Sequence, residues 1–382
     1  MITQQQRREL ELTQTSFSKA RTLPCWVYTC PQVFEAEMQA LFGQQWVCVG
    51  HQSQFENDSV VQLTVGQHAL LISRNSSGLL QCFHNVCRHR GTRLVRQSQQ
   101  RSALLVCPYH GWSYTLDGKL KAAPGMQDVK GFCAADQGLL KVNSQLWQGF
   151  LFICLGSLLS GTLLTDFPLP ISDLSNLQVV ASHHYEVAAN WKLLGDNYNE
   201  CYHCPAGHPQ LHQITRPASD IEGQHRTDQY TGGPMTLREG YNTMSATGVT
   251  QRQKLPGWAS SDEHLVHYFH VFPNLFLSFV PDYLMIHLLL PVSPARTAVQ
   301  THWLFAPQQI AAEGFKYDDA VDFWHVTNQQ DWRLCEEAQV GQGTGVHRGG
   351  FYHPSERCVH DFDRWYAQWL SPLIDGFSDQ LT

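Results

Sequence analysis

Charge is scarce in this chain. Asp, Glu, Lys and Arg make up 15% of its 382 residues against 43% hydrophobic ones, the balance of a packed globular protein and not of a disordered one. Positive charge is scarcer still. The 26 Lys and Arg stand against 33 Asp and Glu, leaving a net −7, and no basic stripe with interleaved aromatics is present, so nucleic-acid binding is not expected. No run approaches about 18 consecutive apolar residues, so a membrane span is not expected either. The opening Met1-Ile2-Thr3-Gln4-Gln5-Gln6-Arg7-Arg8-Glu9 is polar and lacks the apolar centre of a signal peptide, and the expectation is a cytoplasmic protein. Internal repeats and low-complexity tracts are absent. So is a dinucleotide fingerprint: Gly341-Gln342-Gly343-Thr344-Gly345 misses the G-x-G-x-x-G spacing and follows a helical pattern, not a strand.

Cysteine, by contrast, is plentiful. Twelve cysteines would suggest a disulfide framework in a small secreted chain, but this chain is large and shows no export signal. Most of them read as buried or idle thiols. Two do not. Cys87-Arg88-His89 and, after 17 intervening residues, Cys107-Pro108-Tyr109-His110 each pair a thiol with an imidazole, with Gly91 and Gly111 close behind. Two thiolates and two neutral imidazoles suit a [2Fe–2S] cluster held by Cys87 and Cys107 on one iron and His89 and His110 on the other. Histidine in place of two thiolates removes negative charge and raises the reduction potential. A structural zinc site has the same ligand count, although zinc knuckles seldom use Cys-x-His with a nearby glycine. Cys201 and Cys204 form a C-x-x-C between histidines, where packing beside a functional site is a simpler role than redox or zinc chemistry.

Residues 1–44 read as a helical lead-in, with apolar residues at 33, 34, 38, 41 and 42 in helical spacing. From 45 to 160 short β-runs such as Ser59 to Leu63 and His68 to Ser73 are separated by Gly, Asn and Ser, with an Asp117-Gly118 hairpin signal. Both Cys/His loops lie in this all-β block. Residues 161–382 are mixed. A helix is expected through Cys204, broken by Pro205 and Gly207. Strands follow at Leu275 to Val280, Leu284 to Pro291 and Ala298 to Phe305, then a long helical pattern from Ala320 to Gln339. This order argues an α+β domain, an antiparallel sheet backed by helices.

The run from Asp196 to Pro209 is the second chemical concentration. Glu200 and His203, three apart, would share a helical face, and Pro205 and Gly207 would let the chain turn so that His208 meets the same ion. Two histidines and one carboxylate with open positions form the facial triad of non-haem Fe(II) oxygenases; the alternative is two histidines in a helix cap. The carboxylate must come from further along, where Asp331, Glu336 and Glu337 share one expected helix. Glu336 and Glu337 also suit a solvated face.

Over essentially its whole length the chain resembles the catalytic α subunit of the Rieske non-haem iron oxygenases, the ring-hydroxylating family. The resemblance implies an all-β Rieske domain over 45–160 and a helix-grip, START-like catalytic domain over 161–382. It implies one [2Fe–2S] cluster on Cys87, His89, Cys107 and His110 and one Fe(II) on His203, His208 and Asp331, with Glu200 as a bridging acid. Thr92 and Tyr109 stand where respiratory Rieske proteins carry two extra cysteines, so the oxygenase type is expected. A homotrimer is implied, in which His110 of one chain meets Glu200 of the next and electrons cross between subunits. Electrons would come from NAD(P)H through a separate flavin and iron–sulfur reductase, directly or through a ferredoxin, to O2 and a small-molecule substrate. Glu at 200, set in Glu-Cys-Tyr-His-Cys, is similar to the branch acting on choline, carnitine and glycine betaine.

The substrate is less legible. Trp258, Tyr268, Phe269, Phe272, Phe276, Phe279, Tyr283, Trp303 and Trp324 could supply a cage for a trimethylammonium group, at about 0.5–2 kcal/mol per ring, but aromatics at strand spacing are usually core. His264, His267 and His270, like His287 and His302, read as sheet histidines. Three functions compete: oxygenation of an N-methyl or quaternary ammonium compound, hydroxylation of an aromatic ring or natural product, and electron transfer alone. The last would need neither the second domain nor Glu200, His203 and His208. An Arg or Lys in the pocket, with Arg238, Lys254 and Arg296 as candidates, would favour a carboxylated substrate.

Overall fold

The computed structural model describes residues 2–96, 100, 101, 103–156, 163–216 and 225–376. The chain divides into two compact units, Glu37–Leu163 and a second made of Met1–Ala36 with Leu164–Thr382. The helical lead-in is therefore not a body of its own: helices Gln4–Thr13, Cys25–Thr29 and Pro31–Ala36 count with the C-terminal unit.

The first unit is all-β. Its larger sheet is antiparallel throughout, in the order Val47–His51, Phe150–Cys154, Lys141–Trp147, Leu80–His84, His68–Arg74, Ser59–Val65 and Gln100–Arg101. A three-stranded sheet follows, Leu104–Val106, Ser113–Thr115 and Leu120–Ala122, whose second turn is the Asp117-Gly118 hairpin. Val60, Leu71, Phe83, Leu105, Trp112 and Tyr114 form a buried core that also takes in Cys87 and Cys107.

The second unit is built on one antiparallel sheet, ordered Gln178–Val187, Arg296–Phe305, Tyr283–Ser293, Leu275–Val280, Leu265–Val271, Tyr230–Thr236 and His225–Arg226. The two central strands Leu275–Val280 and Tyr283–Ser293 are nearly all apolar because both faces are covered. The cover includes the helices Trp191–Tyr198, Asp318–Gly343 and Arg357–Gly376. Along Asp318–Gly343 the buried positions 320, 321, 323, 324, 327, 328, 332, 335 and 339 recur at three- and four-residue steps, one stripe of an amphipathic helix. Among the described residues no helix is long and apolar enough to cross a membrane.

Candidate metal centres

The two Cys/His loops are the same backbone device used twice. The Cys87 N–H donates to the Thr92 carbonyl (2.8 Å) and the Gly91 N–H to the Cys87 carbonyl (3.0 Å); the Cys107 N–H donates to Trp112 (2.7 Å) and the Gly111 N–H to Cys107 (3.1 Å). Each turn closes through its glycine at a positive φ, 71° and 72°, where a side chain would be strained. Asn85 ties down the far end of the first loop, accepting from the Leu94 and Val95 N–H groups and donating to the Val95 carbonyl. Both thiols are buried while His110 is exposed. The His89 and His110 rings lie 4.5 Å apart, and His89 stacks on Trp112 at 4.9 Å. The Tyr114 hydroxyl accepts the Arg88 N–H and stands 3.3 Å from the Cys87 sulfur.

The residues fit a [2Fe–2S] cluster. His89 Nδ1 is buried without a hydrogen-bond partner, an atom a native fold leaves bare where something else satisfies it. Cys87 and Cys107 are both free thiols.

The second set is brought together from three segments, and the helix that leads to it is shorter than the sequence suggests. Asn190 caps it by accepting the Lys192 N–H, and it ends at Tyr198 rather than Cys204. Glu200 is the cause: its carboxylate takes the backbone N–H groups of Tyr202 and His203, a side-chain bond that competes with continued helix. Glu200 and His203 therefore share a turn, not a helical face. Pro205 opens a short helix, Cys204–Gly207, instead of ending one. Cys201 and Cys204, expected to pack, are joined as a disulfide flanking His203 and sit in the buried core.

Three ligand atoms converge. His203 Nε2 and His208 Nε2 are 3.0 Å apart, and Asp331 Oδ1 lies 2.7 Å from His208 Nε2 and 3.3 Å from His203 Nε2. Ligands at right angles around an ion with bonds of about 2.1 Å stand about 3.0 Å apart, whereas tetrahedral ones stand at about 3.4 Å. The three edges, 2.7 to 3.3 Å, bring the three atoms close enough to share one ion. His203, His208 and Asp331 are the group among the described residues whose ligand atoms lie close enough together to hold a metal ion.

Each imidazole is oriented from behind. His203 Nδ1 is held by Glu200, and His208 Nδ1 by the Gln330 carbonyl oxygen at 2.8 Å, so both direct Nε2 lone pairs inward. Gln330 was not singled out from sequence; its adjacency to Asp331 on a helix was the available signal. Although burial pulls the other way, the bonds to Asp331 and Glu200 hold His203 up to about 10, and the two histidines hold Asp331 below the usual carboxylate range. Two acids around two imidazoles make a seat for positive charge, which a metal takes by displacing protons. Glu336 accepts the Ala188 N–H, and Glu337 is exposed; neither joins the triad.

A cavity of about 110 Å³ reaches these ligands. Of the expected aromatics, Tyr268, Phe276 and Trp324 line it, joined by Tyr198 and Trp332. Tyr198 stacks on Phe276 at 4.0 Å. Trp303, Tyr283, Phe269 and Phe279 are buried core. Arg238, Lys254 and Arg296 are elsewhere: Arg238 donates to the carbonyls of His212 and Thr215, and the other two pair with Glu263 and Glu186. No Lys or Arg lines the cavity among the described residues.

Residues 45–133 match the Rieske [2Fe–2S] domain, and residues 174–372 match the ring hydroxylating alpha subunit catalytic domain. The chain is 30% identical to the glycine betaine monooxygenase oxygenase subunit of Chromohalobacter salexigens, covering 94% of this chain and 88% of that one. It is 29% identical to the carnitine monooxygenase oxygenase subunit of Acinetobacter baumannii, over 86% and 87%. Among solved structures, the quaternary ammonium Rieske monooxygenase CntA with an inhibitor superposes with a TM-score of 0.76 at 24% identity over 95% and 98% of the chains. Naphthalene 1,2-dioxygenase from Rhodococcus does so with 0.77 at 20% identity over 97% and 98%. The α+β fold, the paired cofactors and the oxygen chemistry thus have one source: the chain belongs to the catalytic α subunits of Rieske non-haem iron oxygenases, the O2-using component of a multicomponent system with a [2Fe–2S] cluster and a mononuclear iron.

Proposed function

We propose that the chain hydroxylates an N-methyl or quaternary ammonium compound of the choline, carnitine or betaine type. The observation that carries this reading is the cavity wall: Tyr198, Tyr268, Phe276, Trp324 and Trp332 beside the triad, with no Lys or Arg among its described lining residues. The identity to betaine and carnitine oxygenase subunits supports it.

In this reading Cys87, His89, Cys107 and His110 hold the cluster, and His203, His208 and Asp331 hold the iron. A ferrous ion held there would supply the O2 chemistry, and the cluster would supply an electron. The chain's own residues hold the imidazole tautomers through Glu200 and Gln330, cage the cation and shield the reaction from water. A hydroxylated N-methyl group then breaks down to the demethylated amine and formaldehyde. The assembly is a cytoplasmic homotrimer, reduced by a separate NAD(P)H-dependent reductase, with His110 of the partner subunit contacting Glu200.

Two experiments test this. In a single turnover, reduced iron-loaded protein meets O2 with betaines, choline, carnitine and aromatic acids; formaldehyde or an aldehyde from an ammonium compound is expected. A diol or phenol from an aromatic acid, with the ammonium compounds untouched, would move the protein to the ring-hydroxylating class. For the bridge, Glu200→Gln should slow oxidation of the reduced cluster by the iron site about 10- to 100-fold with the cluster spectrum intact; a wild-type rate rules the bridge out.

A further inference from the structure

The aromatic wall of the cavity carries polar atoms as well as rings, and most of them are out of a ligand's reach. The Tyr198 hydroxyl is spent on the Leu277 carbonyl (2.9 Å), and the Trp324 N–H on the Tyr283 hydroxyl (2.6 Å). Trp332 lines the cavity beside His287 and Asn328, but Trp332 Nε1, His287 Nδ1 and Asn328 Nδ2 are themselves buried atoms, closed off from the space. Phe276 has no polar atom to offer.

Tyr268 differs. It lines the cavity from the strand Leu265–Val271, fifth of seven in its sheet, and packs against the core there. It is nevertheless only half-buried, because the cavity it lines leaves part of it bare. Its ring is braced edge-on by Tyr198 at 6.1 Å and Trp324 at 6.4 Å between centroids. Buried phenols elsewhere in the unit are hydrogen-bonded: Tyr28 to Asp196, Tyr230 to the Asp166 carbonyl and Tyr283 to that of Met244. The Tyr268 hydroxyl has no partner among the described residues, and it is not closed off as the three nitrogens are. Burial, and after it the charge of Asp331, push its pKa up, so the group stays an O–H donor. It is the accessible polar atom of the aromatic wall.

We propose that the Tyr268 hydroxyl recognises the oxygen end of the substrate, donating a hydrogen bond to a hydroxyl or carboxylate oxygen while the surrounding rings hold the ammonium group. This rests on the ammonium reading above. Ring faces hold a cation with little directionality, whereas an O–H braced by two rings fixes where the other end of the molecule lies. No Lys or Arg among the described lining residues competes for that oxygen. An ammonium compound without oxygen leaves the hydroxyl unpaired and forfeits the bond.

The test compares dissociation constants, by calorimetry on the resting iron-loaded protein, for choline, carnitine and glycine betaine against tetramethylammonium, which has the cation and no oxygen. Tyr268→Phe keeps the ring. It should raise the constants of the oxygen-bearing compounds about 10-fold and that of tetramethylammonium by less than about 2-fold. In turnover the same variant should raise KM and leave kcat near wild type. Asn197, from the helix Trp191–Tyr198, also lines the cavity with a side chain free of hydrogen bonds, and Asn197→Ala is the comparison. Cluster spectrum and iron content report the folding of each variant. Unchanged constants in Tyr268→Phe, an equal rise for every compound, or a selective loss in Asn197→Ala instead would overturn the assignment. If the wild type binds no ammonium compound, the ammonium reading fails on its own. The pair 2-phenylethanol and ethylbenzene then tests Tyr268 by the same ratio.

Discussion

At the two Cys/His loops the positioning comes mainly from backbone turns; at His203, His208 and Asp331 it comes mainly from side chains. Each loop is closed by hydrogen bonds from its cysteine and glycine N–H groups, and the exposed His110 lies against the rings of Tyr109 and His89. The triad's local frame, the Glu200 turn, the short helix Cys204–Gly207 and the Cys201–Cys204 disulfide, serves only its two histidines. His203 and His208 are aimed by Glu200 and Gln330, and Asp331 arrives on a helix more than a hundred residues later. The difference follows from what each group must do. A cluster that passes electrons benefits from thiolates set in the core and an imidazole edge near the surface. An oxygen-activating site needs its ligands buried, fixed in tautomer and surrounded by a closed apolar wall.

The largest expected effects separate the two regions outright. Asp331→Ala should abolish turnover and lower the iron from about three to about two per chain, with the visible spectrum of the cluster unchanged. Cys107→Ala should do the reverse, removing the chromophore and leaving about one iron per chain. Metal analysis with absorption spectroscopy checks both; three irons in Asp331→Ala would break the ligand assignment. A smaller change probes the side-chain support. Gln330→Leu removes the partner of His208 Nδ1 and should weaken iron binding about 10- to 100-fold, read by chelator competition, with the cluster untouched. Undiminished affinity would mean that His208 is oriented by its packing alone.

That contrast also explains what the sequence discloses. The cluster loops are legible because all four residues act within two short turns, and turn chemistry is local. His203 and His208 stand five apart and are nearly as plain. Asp331 was reachable through the family resemblance, since nothing local distinguishes it from Glu336. Gln330, Tyr198, Trp332 and His287 were passed over as site residues because their roles arise only when sheet and helix stack. The misplaced helix end has a definite cause: the span through Cys204 has helical spacing, but the Glu200 carboxylate captures two backbone N–H groups and stops it.

Burial at the second unit should also appear as pH dependence. Burial pushes His270 down to about 3, and His267 and His287 down to about 4, below an unfolded value of about 6.5. Between those values the unfolded chain binds protons that the folded one refuses. The stability these residues contribute is present above pH about 6.5 and is lost as the pH falls through the folded values. His270 is held through both ring nitrogens, by Asn199 and the Pro273 carbonyl. His270→Gln should lower stability at neutral pH and flatten its decline between about pH 6.5 and 4, measured as urea midpoints of the loaded protein. A slope parallel to wild type would mean that His270 does not titrate in that window.

The smallest expected effect concerns the Tyr114 hydroxyl beside Cys87. The Tyr114 hydroxyl already accepts the Arg88 N–H, so its proton is free to point at the Cys87 sulfur 3.3 Å away. A sulfur bound to iron has no proton, and there the bond can run only from the hydroxyl to the sulfur. Donation withdraws charge from the cluster and favours its reduced form. Tyr114→Phe keeps the buried ring and should lower the reduction potential by roughly tens of millivolts without loss of the chromophore. A redox titration reads this directly. An unchanged potential would mean that the hydroxyl proton is directed elsewhere, leaving the cluster's setting to its backbone turns.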